Sequence, residues 1–300
     1  MPPTPAYRWP LLETLIGCEL WVKHENHAPT GAFKVRGGIT YFNSLGDATP
    51  RGGVVCATRG NHGQSVAFNA SRAGMRALVV VPHGNSVDKN AAMRAFGAEL
   101  VEAGDDFQEA LEFAQNAAAT RGMHMVPSFH PELVRGVATL GVELFDAAGP
   151  LDVVYSPIGL GSGLCGLIAA RDACGVETEV VGVVAEGAQT YARSMEAGHP
   201  VAVPVTTIAD GMACRLANAD ALAMMRDHKV RFVTVSDDEI SSAVRSYFTC
   251  THNIAEPAGA ASLAAALKDA RDKGYRRVGV ILSGGNVDRE TYLAILPGTS

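Results

Sequence analysis

Short, almost continuously apolar runs recur along the chain and alternate with longer segments of helical periodicity. A strand that is apolar at every position is buried on both faces, which is typical of a parallel sheet covered by helices. The runs predicted as strands are 19–25, 52–58, 76–82, 98–103, 123–128, 151–158, 178–186, 230–236 and 276–284. Their alternation with helices over nearly the whole chain predicts an open α/β fold.

Two of the intervening helices have ends that can be read from the sequence. Residues 105–121 begin with two aspartates and stop at Gly122, and residues 257–273 open with a proline and close at Gly274. In open α/β sheets, ligands bind at the carboxyl ends of the strands, in the loops that follow. The chemistry is therefore expected in those loops.

Composition limits the functional classes. The chain has 300 residues, with 25 Lys+Arg against 31 Asp+Glu, which argues against a nucleic-acid-binding surface spread over the whole chain. Its six scattered cysteines include no C-x-x-C pair, so neither a zinc knuckle nor a disulfide framework is expected. No apolar run approaches the ~18 residues of a membrane span, and the start has no signal-peptide h-region. A cytoplasmic protein without a membrane segment is expected.

Two loops carry candidate chemistry in the first quarter of the chain. The segment PTGAFKVRGG (29–38) contains Lys34, whose amine could act as a nucleophile if a desolvated or cationic neighbourhood lowered its usual pKa of ~10.4. The segment ATRGNHGQS (57–65) follows a strand, and its backbone N–H groups suit an anion. Taken alone, Lys34 is better explained as an ordinary surface lysine on a turn, and the second loop also fits a capped turn in which Asn61 satisfies the backbone. For His62, a structural role is a better interpretation than a catalytic base.

Two further loops are rich in glycine. GLGSGLCG (159–166) opens a helix, as a phosphate cradle does. Gly161, Gly163 and Gly166 also match the dinucleotide pattern G-x-G-x-x-G, with Glu186 at the end of the next strand. LSGGNVD (282–288) follows the last apolar strand. Taken together, the four loops predict a phosphate, a planar aromatic cofactor and a reactive lysine in one crevice. Pyridoxal phosphate supplies the first two and uses the lysine as its covalent partner.

The motifs GAFKVRGG, RGNHGQS, GLGSG, TIADG, AEPAGA and SGGNVD occur in this order. With them the chain resembles, over nearly its whole length, the fold-type II pyridoxal-phosphate enzymes of the serine/threonine dehydratase and serine racemase family. The resemblance implies two open, twisted, mostly parallel sheets flanked by helices. It also implies a large cofactor-binding domain (1–52 plus 132–300), a small mobile domain (53–131) and a homodimer.

The resemblance implies that Lys34 binds the cofactor covalently and moves the α-proton of a β-hydroxy amino acid, which is dehydrated and deaminated to a 2-keto acid and ammonia. The other implied cofactor contacts are Phe33 and Gly211 on the two faces of the ring, Asn61 at its 3-hydroxyl, Gly159, Leu160, Gly161, Ser162 and Gly163 at the phosphate, Ser283 with Gly284 at the pyridine nitrogen, and Glu256. The implied substrate-carboxylate loop consists of Thr58, Arg59, Gly60, Asn61 and His62.

Arg59 departs from the family pattern. Serine racemases have a serine there that acts as a second base, and a guanidinium cannot be a general base near neutral pH. Dehydration with little racemisation is therefore expected. Arg59 either binds a second carboxylate, which would make 3-hydroxyaspartate a substrate beside threonine and serine, or points to solvent or to a neighbouring acid.

The divalent-cation site of the family is matched only in part. Glu186 matches one acidic ligand, but Ala192 stands where the second is expected, and a hard cation requires several oxygen ligands. Cation dependence stays open. The remaining alternatives are a racemase or β-replacement enzyme of the same family, a non-catalytic pyridoxal-phosphate protein, and an NAD-dependent oxidoreductase, which would leave Lys34 unexplained.

Overall fold

The computed structural model of the protein describes residues 1–46 and 52–297, and the strands of this part form two sheets. They are β1 (Ala6–Arg8), β2 (Glu19–His24), β3 (Val54–Ala57), β4 (Ala77–Val81), β5 (Glu99–Glu102), β6 (His124–Met125), β7 (Val153–Pro157), β8 (Glu179–Ala185), β9 (Arg231–Val235) and β10 (Arg277–Leu282). The six-stranded sheet has the order β1-β2-β10-β7-β8-β9, and the four-stranded sheet has the order β5-β4-β3-β6. Strand β1 runs antiparallel to β2, and the other pairs are parallel. The predicted fold class is confirmed.

The described helices cover both sheets. They are α1 (Pro10–Ile16), α2 (Lys34–Leu45), α3 (Asn61–Arg72), α4 (Val87–Ala95), α5 (Phe107–Arg121), α6 (Pro131–Ala148), α7 (Ser162–Cys174), α8 (Thr190–Ala197), α9 (Ala219–Asp227), α10 (Asp237–Thr251), α11 (Pro257–Lys273) and α12 (Arg289–Ile295). Among the described residues, none of these helices has both the length and the apolar character needed to cross a bilayer.

Burial on both faces explains why the strands read as continuous apolar runs. Every residue of β4 is buried, as is every residue of β8 and β10 after the first. Along β7, Val153 and Tyr155 face one core and Val154 faces the other. Along β3, Val54 and Val55 likewise belong to two different cores. The helices therefore pack on both faces of each sheet.

The helix ends follow the expected capping chemistry with one shift. The Asp106 side chain accepts hydrogen bonds from the backbone N–H groups of Gln108 (2.8 Å) and Glu109 (3.0 Å). Because Asp106 is the N-cap, α5 begins at Phe107 rather than at residue 105. Helix α11 begins at its proline and ends before Gly274, which has a φ of 69°.

Most strands are one to three residues shorter than their predicted runs, and one is shortened the most. The apolar run 123–128 forms only the two-residue β6, which lies at the edge of the four-stranded sheet and pairs with β3 alone. An edge strand extends only as far as its single neighbour pairs with it. The length of the apolar run therefore exceeds the length of the strand.

The four-stranded sheet is built entirely from chain between residues 54 and 125, and the six-stranded sheet takes strands from both sides of that segment. The division into a large domain and a small mobile one stays a prediction. Residues 47–51 and 298–300, which the predicted large domain includes, lie outside the described part of the chain.

Candidate active site

The loops after β3, β7 and β10 meet around the start of α2. Ala32 forms an isolated antiparallel bridge with Gly284, and the backbone N–H of Phe33 donates to the carbonyl of Ser283 (3.0 Å). These contacts fix the two residues before Lys34 to the end of β10. Lys34, the first residue of α2, is thereby placed among the loops.

Lys34 is partly buried, and its amine contacts two predicted site residues. Its Nζ donates to Ser162 Oγ (2.9 Å) and lies 4.9 Å from the centre of the Phe33 ring. Burial lowers the pKa of Lys34 to about 8, against a small raising effect of the nearby Cys214 thiol. A lysine with this pKa is partly unprotonated near neutral pH, as a lysine nucleophile must be.

The glycine-rich loop between β7 and α7 is held tightly in place. Gly161, which has a φ of 97°, is the N-cap of α7, and Ser162 is its buried first residue. The carbonyl of Leu160 accepts a hydrogen bond from the Tyr191 hydroxyl (2.7 Å). A Cβ at Gly159 would overlap the carbonyl oxygen of Gly211, so the two backbones approach as closely as they do only because Gly159 has no side chain.

The predicted substrate loop connects β3 to α3. The buried Thr58 hydroxyl accepts hydrogen bonds from the backbone N–H groups of Gly60 (3.0 Å) and Gly63 (3.2 Å), which fixes the turn. Asn61 is the first residue of α3. Arg59 is exposed and lies close enough to the Asp106 carboxylate to help lower the pKa of that group.

His62 is held as a neutral ring. Burial lowers its pKa to about 3, with a further lowering by Lys34, and the Val126 carbonyl accepts a hydrogen bond from it. Its Nε2 is buried and finds no hydrogen-bond partner among the described residues. The other ring nitrogen, Nδ1, therefore carries the proton, and Nε2 presents a lone pair.

Glu256 is buried beside the end of β10. Its Oε1 accepts a hydrogen bond from Asn61 Nδ2 (2.6 Å), and a Cβ at Gly284 would overlap the same oxygen. Asn61 Oδ1 in turn accepts from Asn286 Nδ2 (2.8 Å). Burial raises the pKa of Glu256 to about 7. Every predicted cofactor residue thus lies in one group of loops, while their individual roles stay predictions.

The sequence interpretation missed three residues of this region. Asp210 and Asn286 lie inside the motifs TIADG and SGGNVD, so their motifs marked the place but not the residue. Lys89 lies on α4 with no motif around it, and its amine reaches Asp210 Oδ2 at 2.5 Å. No local pattern distinguishes it from a surface lysine of an amphipathic helix.

The dinucleotide and cation alternatives gain no support from the geometry. A Cβ at Gly166 would contact Val137 and Ala138, so this glycine serves the packing of α7 on α6. Glu186 is exposed, and Ala192 lies on α8. In the described part of the chain, no three His, Cys, Asp or Glu side chains are grouped to hold a metal ion.

Known proteins resemble the chain over nearly its full length. It is 32% identical to the biosynthetic L-threonine dehydratase of Salmonella typhimurium over 95% of this chain and 56% of that protein. It is 31% identical to an L-threo-3-hydroxyaspartate ammonia-lyase of a Pseudomonas species, over 98% of this chain and 93% of that protein. Its fold matches the solved structure of maize serine racemase with a TM-score of 0.92 and 26% identity, over 98% of this chain and 91% of that one.

The chain thus spans about half of the Salmonella dehydratase and nearly all of the hydroxyaspartate ammonia-lyase. The model of the family described as "Pyridoxal-phosphate dependent enzyme" matches residues 1–284. The partly buried lysine, the glycine-rich loop and these similarities lead to the same assignment. The chain belongs to the pyridoxal-phosphate-dependent enzyme family.

Proposed function

We propose that the protein is a pyridoxal-phosphate-dependent ammonia-lyase that converts a β-hydroxy amino acid into a 2-keto acid and ammonia. The substrate class is L-threonine, L-serine or 3-hydroxyaspartate. The observation that carries the proposal is the placement of Lys34, a partly buried amine with a lowered pKa, between the Phe33 ring and the glycine-rich loop.

The described residues fit the cofactor. The first backbone N–H groups of the 13-residue α7 follow glycines and have no acidic side chain in the first turn, which suits a phosphate. A Cβ at Gly163 would lie 3.4 Å from the Phe33 ring edge, an ordinary van der Waals distance, so the glycine-rich loop lies directly beside that ring. Bound there, pyridoxal phosphate would supply an aldehyde for the substrate amine and a conjugated ring that delocalises charge from Cα.

Lys34 is the residue that would move the proton at the substrate Cα. With a pKa of about 8, about a tenth of the amine is unprotonated at pH 7. The hydrogen bond to Ser162 holds Nζ at the end of the glycine loop. In its unprotonated form, the Lys34 amine could act there as the base that takes the Cα proton.

The loop of Thr58, Gly60, Asn61 and His62 would bind the substrate α-carboxylate. Its backbone N–H groups lie at the start of the 12-residue α3, where the helix dipole favours negative charge. Thr58 uses its hydroxyl to hold the turn. Backbone groups, rather than a side-chain cation, would therefore receive the carboxylate.

Ser283 is buried at the end of β10 and would face the nitrogen of the cofactor ring. A neutral hydroxyl stabilises positive charge on that nitrogen less than a carboxylate does. The ring therefore withdraws less of the negative charge that forms at Cα when the proton leaves. More of this charge stays at Cα, which favours prompt loss of the β-hydroxyl over return of the proton. This supports a lyase over a transaminating enzyme.

Arg59 distinguishes the lyase from a racemase of the same family. It cannot serve as a second base near neutral pH, so we infer that racemisation is minor. Its exposed guanidinium, now near Asp106, would also receive the second carboxylate of 3-hydroxyaspartate. The similarity to a 3-hydroxyaspartate ammonia-lyase supports this substrate.

An assay of keto acid and of product chirality tests the proposal. The purified protein, loaded with pyridoxal phosphate, is given each of the three substrates, with Lys34→Ala as the inactive control. Keto acid formation with little D-serine from L-serine is expected. D-serine as the main product would contradict the lyase and support the racemase. A loaded protein that turns over no amino acid would support the non-catalytic alternative.

The homodimer and the cytoplasmic location belong to this proposal as well. Light scattering on the purified protein tests the dimer. Fractionation of the source cells tests the location. Activity before and after chelation, with Mg²⁺ added back, settles whether a divalent cation takes part.

A further inference from the structure

Lys89 connects the two sheets of the protein through a charged contact. It lies on α4, which packs with the four-stranded sheet, but its Nζ lies 2.5 Å from Asp210 Oδ2 and 3.7 Å from Glu256 Oε2. Both acids belong to chain that follows β8 of the six-stranded sheet. The side chains of Lys89 and Glu256 are only 7% and 2% exposed, against 41% for Asp210. The ammonium is thus buried between two carboxylates.

Two features hold Lys89 in this position. A Cβ at Gly60 would lie 2.7 Å from Lys89 Cδ, so the lysine stem runs directly over the glycine of the proposed substrate loop. Ser86, the N-cap of α4, donates to Asp288 Oδ1 (2.5 Å), which anchors the start of the helix to the chain after β10. The position of Lys89 therefore depends on α4 being docked against the loops of the other sheet.

Glu256 is the member of this group that reaches the cofactor residues. Its Oε1 accepts a hydrogen bond from Asn61 Nδ2, and Asn61 Oδ1 accepts one from Asn286 Nδ2. The two hydrogen bonds form a chain in which each donor points toward Glu256. Its Oε2 finds no hydrogen-bond partner in the described part of the chain and faces Lys89. A carboxylate accepts at both oxygens, whereas a protonated carboxyl must donate at one.

We propose that Lys89 is a positioning residue whose ammonium favours the ionised form of Glu256 when α4 is docked, and that ionised Glu256 orients Asn61 toward the cofactor. This inference rests on the proposed function, since Asn61 matters to the reaction only as a contact of the cofactor. It adds Lys89, a residue outside every motif, to the active-site machinery.

The charges around Glu256 act in the required directions. Burial raises its pKa most, Asp210 raises it further, and Lys89 is the largest lowering influence, followed by the hydrogen bond from Asn61. Lys89 itself also faces Asp288. Removal of the ammonium would leave burial and Asp210 to act on Glu256 together, and the carboxyl would be protonated at neutral pH.

The test measures the ionisation of Glu256 directly in the cofactor-free protein. Carbon NMR of protein labelled at the glutamate carboxyl carbons follows the pH titration, and the Glu256 signal is assigned by its loss in Glu256→Gln. Lys89→Gln is expected to shift this titration to higher pH by at least one unit. Lys268→Gln, an exposed lysine on α11, is the matched control and should leave it unchanged.

Cofactor affinity supplies the second readout. Lys89→Gln is expected to weaken pyridoxal phosphate binding about 3-fold at pH 7.5, because a rise in the Glu256 carboxyl pKa from about 7 to about 8 lowers its ionised fraction from about three-quarters to about one-quarter. In the Glu256→Gln background the same substitution should have little effect. An unshifted Glu256 titration, or an equal loss of affinity in both backgrounds, would overturn the proposal.

Asp210→Asn keeps the proposal testable if Lys89→Gln does not fold. Loss of this neighbouring negative charge should shift the Glu256 titration to lower pH, and an unchanged titration would count against the proposal. Because the titration needs no substrate, it can fail while the lyase activity stands. It can likewise succeed if the protein proves not to be a lyase.

Discussion

Lys34 and Ser162 lie 128 positions apart in the chain, yet Lys34 Nζ donates a 2.9 Å hydrogen bond to Ser162 Oγ. The bond joins the first residue of α2 to the first residue of α7. It thus places the reactive amine at the start of the helix proposed to hold the phosphate. Lys34 would then bind the cofactor aldehyde, and Ser162 with the start of α7 would bind its phosphate.

Ser162→Ala should weaken cofactor binding. It removes the acceptor of the Lys34 amine and one donor near the phosphate, and one lost hydrogen bond of this kind costs about 1–2 kcal/mol, or about 10-fold in the Kd. Titration of the apoprotein with pyridoxal phosphate, followed by fluorescence, measures the effect. The exposed Ser71 on α3, changed to alanine, is the control. An unchanged Kd for Ser162→Ala would show that the contact has no part in binding.

Lys34→Met should stabilise the apoprotein in a pH-dependent way. The pKa of Lys34 falls from 10.5 to about 8 on folding, so the folded state disfavours its charge. That destabilisation is fully present below pH 8 and fades as the pH rises from 8 to 10.5. The variant is expected to gain about 1–3 kcal/mol in the free energy of unfolding at pH 7.

Urea unfolding at pH 7 and at pH 10 measures this difference, with Lys268→Met as the exposed control. The gain should be smaller at pH 10. A gain of equal size at both pH values would mean that packing, not charge, is responsible.

Gly159→Ala should destabilise the protein because the new methyl would overlap the Gly211 carbonyl, and neither backbone can move away cheaply. A loss of about 1–3 kcal/mol is expected, as for other overpacked sites. Gly163→Ala is the matched comparison, since its methyl would lie at ordinary contact distance from the Phe33 ring (3.4 Å) and from Ser156 Oγ (3.7 Å). Thermal unfolding of the two apoproteins should rank Gly159→Ala well below Gly163→Ala, and equal midpoints would contradict the close approach of the two loops.

Arg59→Ala should alter substrate preference more than turnover of threonine. Loss of a cation that pairs with a second carboxylate is expected to lower kcat/KM for 3-hydroxyaspartate about 10- to 100-fold. L-threonine, which lacks that carboxylate, should change little. Arg72→Ala, which removes an exposed arginine at the end of α3, is the control. An equal decrease for both substrates would assign Arg59 to the loop structure instead.

Much of the fold could be predicted because a strand buried on both faces is apolar at nearly every position, as in β4 and β8. The motif loops could be placed because they follow those strands. Lys89 could not be found, since its partners Asp210 and Glu256 lie more than 100 residues away and a helix surface records no such contact. The predicted length of β6 is wrong because the pairing of an edge strand depends on the neighbouring strand rather than on local apolar character.

The most direct test of the central claim is the covalent attachment of the cofactor to Lys34 in a catalytically active protein. Wild type and Lys34→Ala are incubated with pyridoxal phosphate, reduced with borohydride, digested and analysed by mass spectrometry, while unreduced samples are assayed for keto acid. The account predicts a visible absorption band, a pyridoxyl group on Lys34 and keto acid formation in wild type alone. A wild-type protein that stays colourless, carries the label elsewhere or forms no keto acid would contradict it.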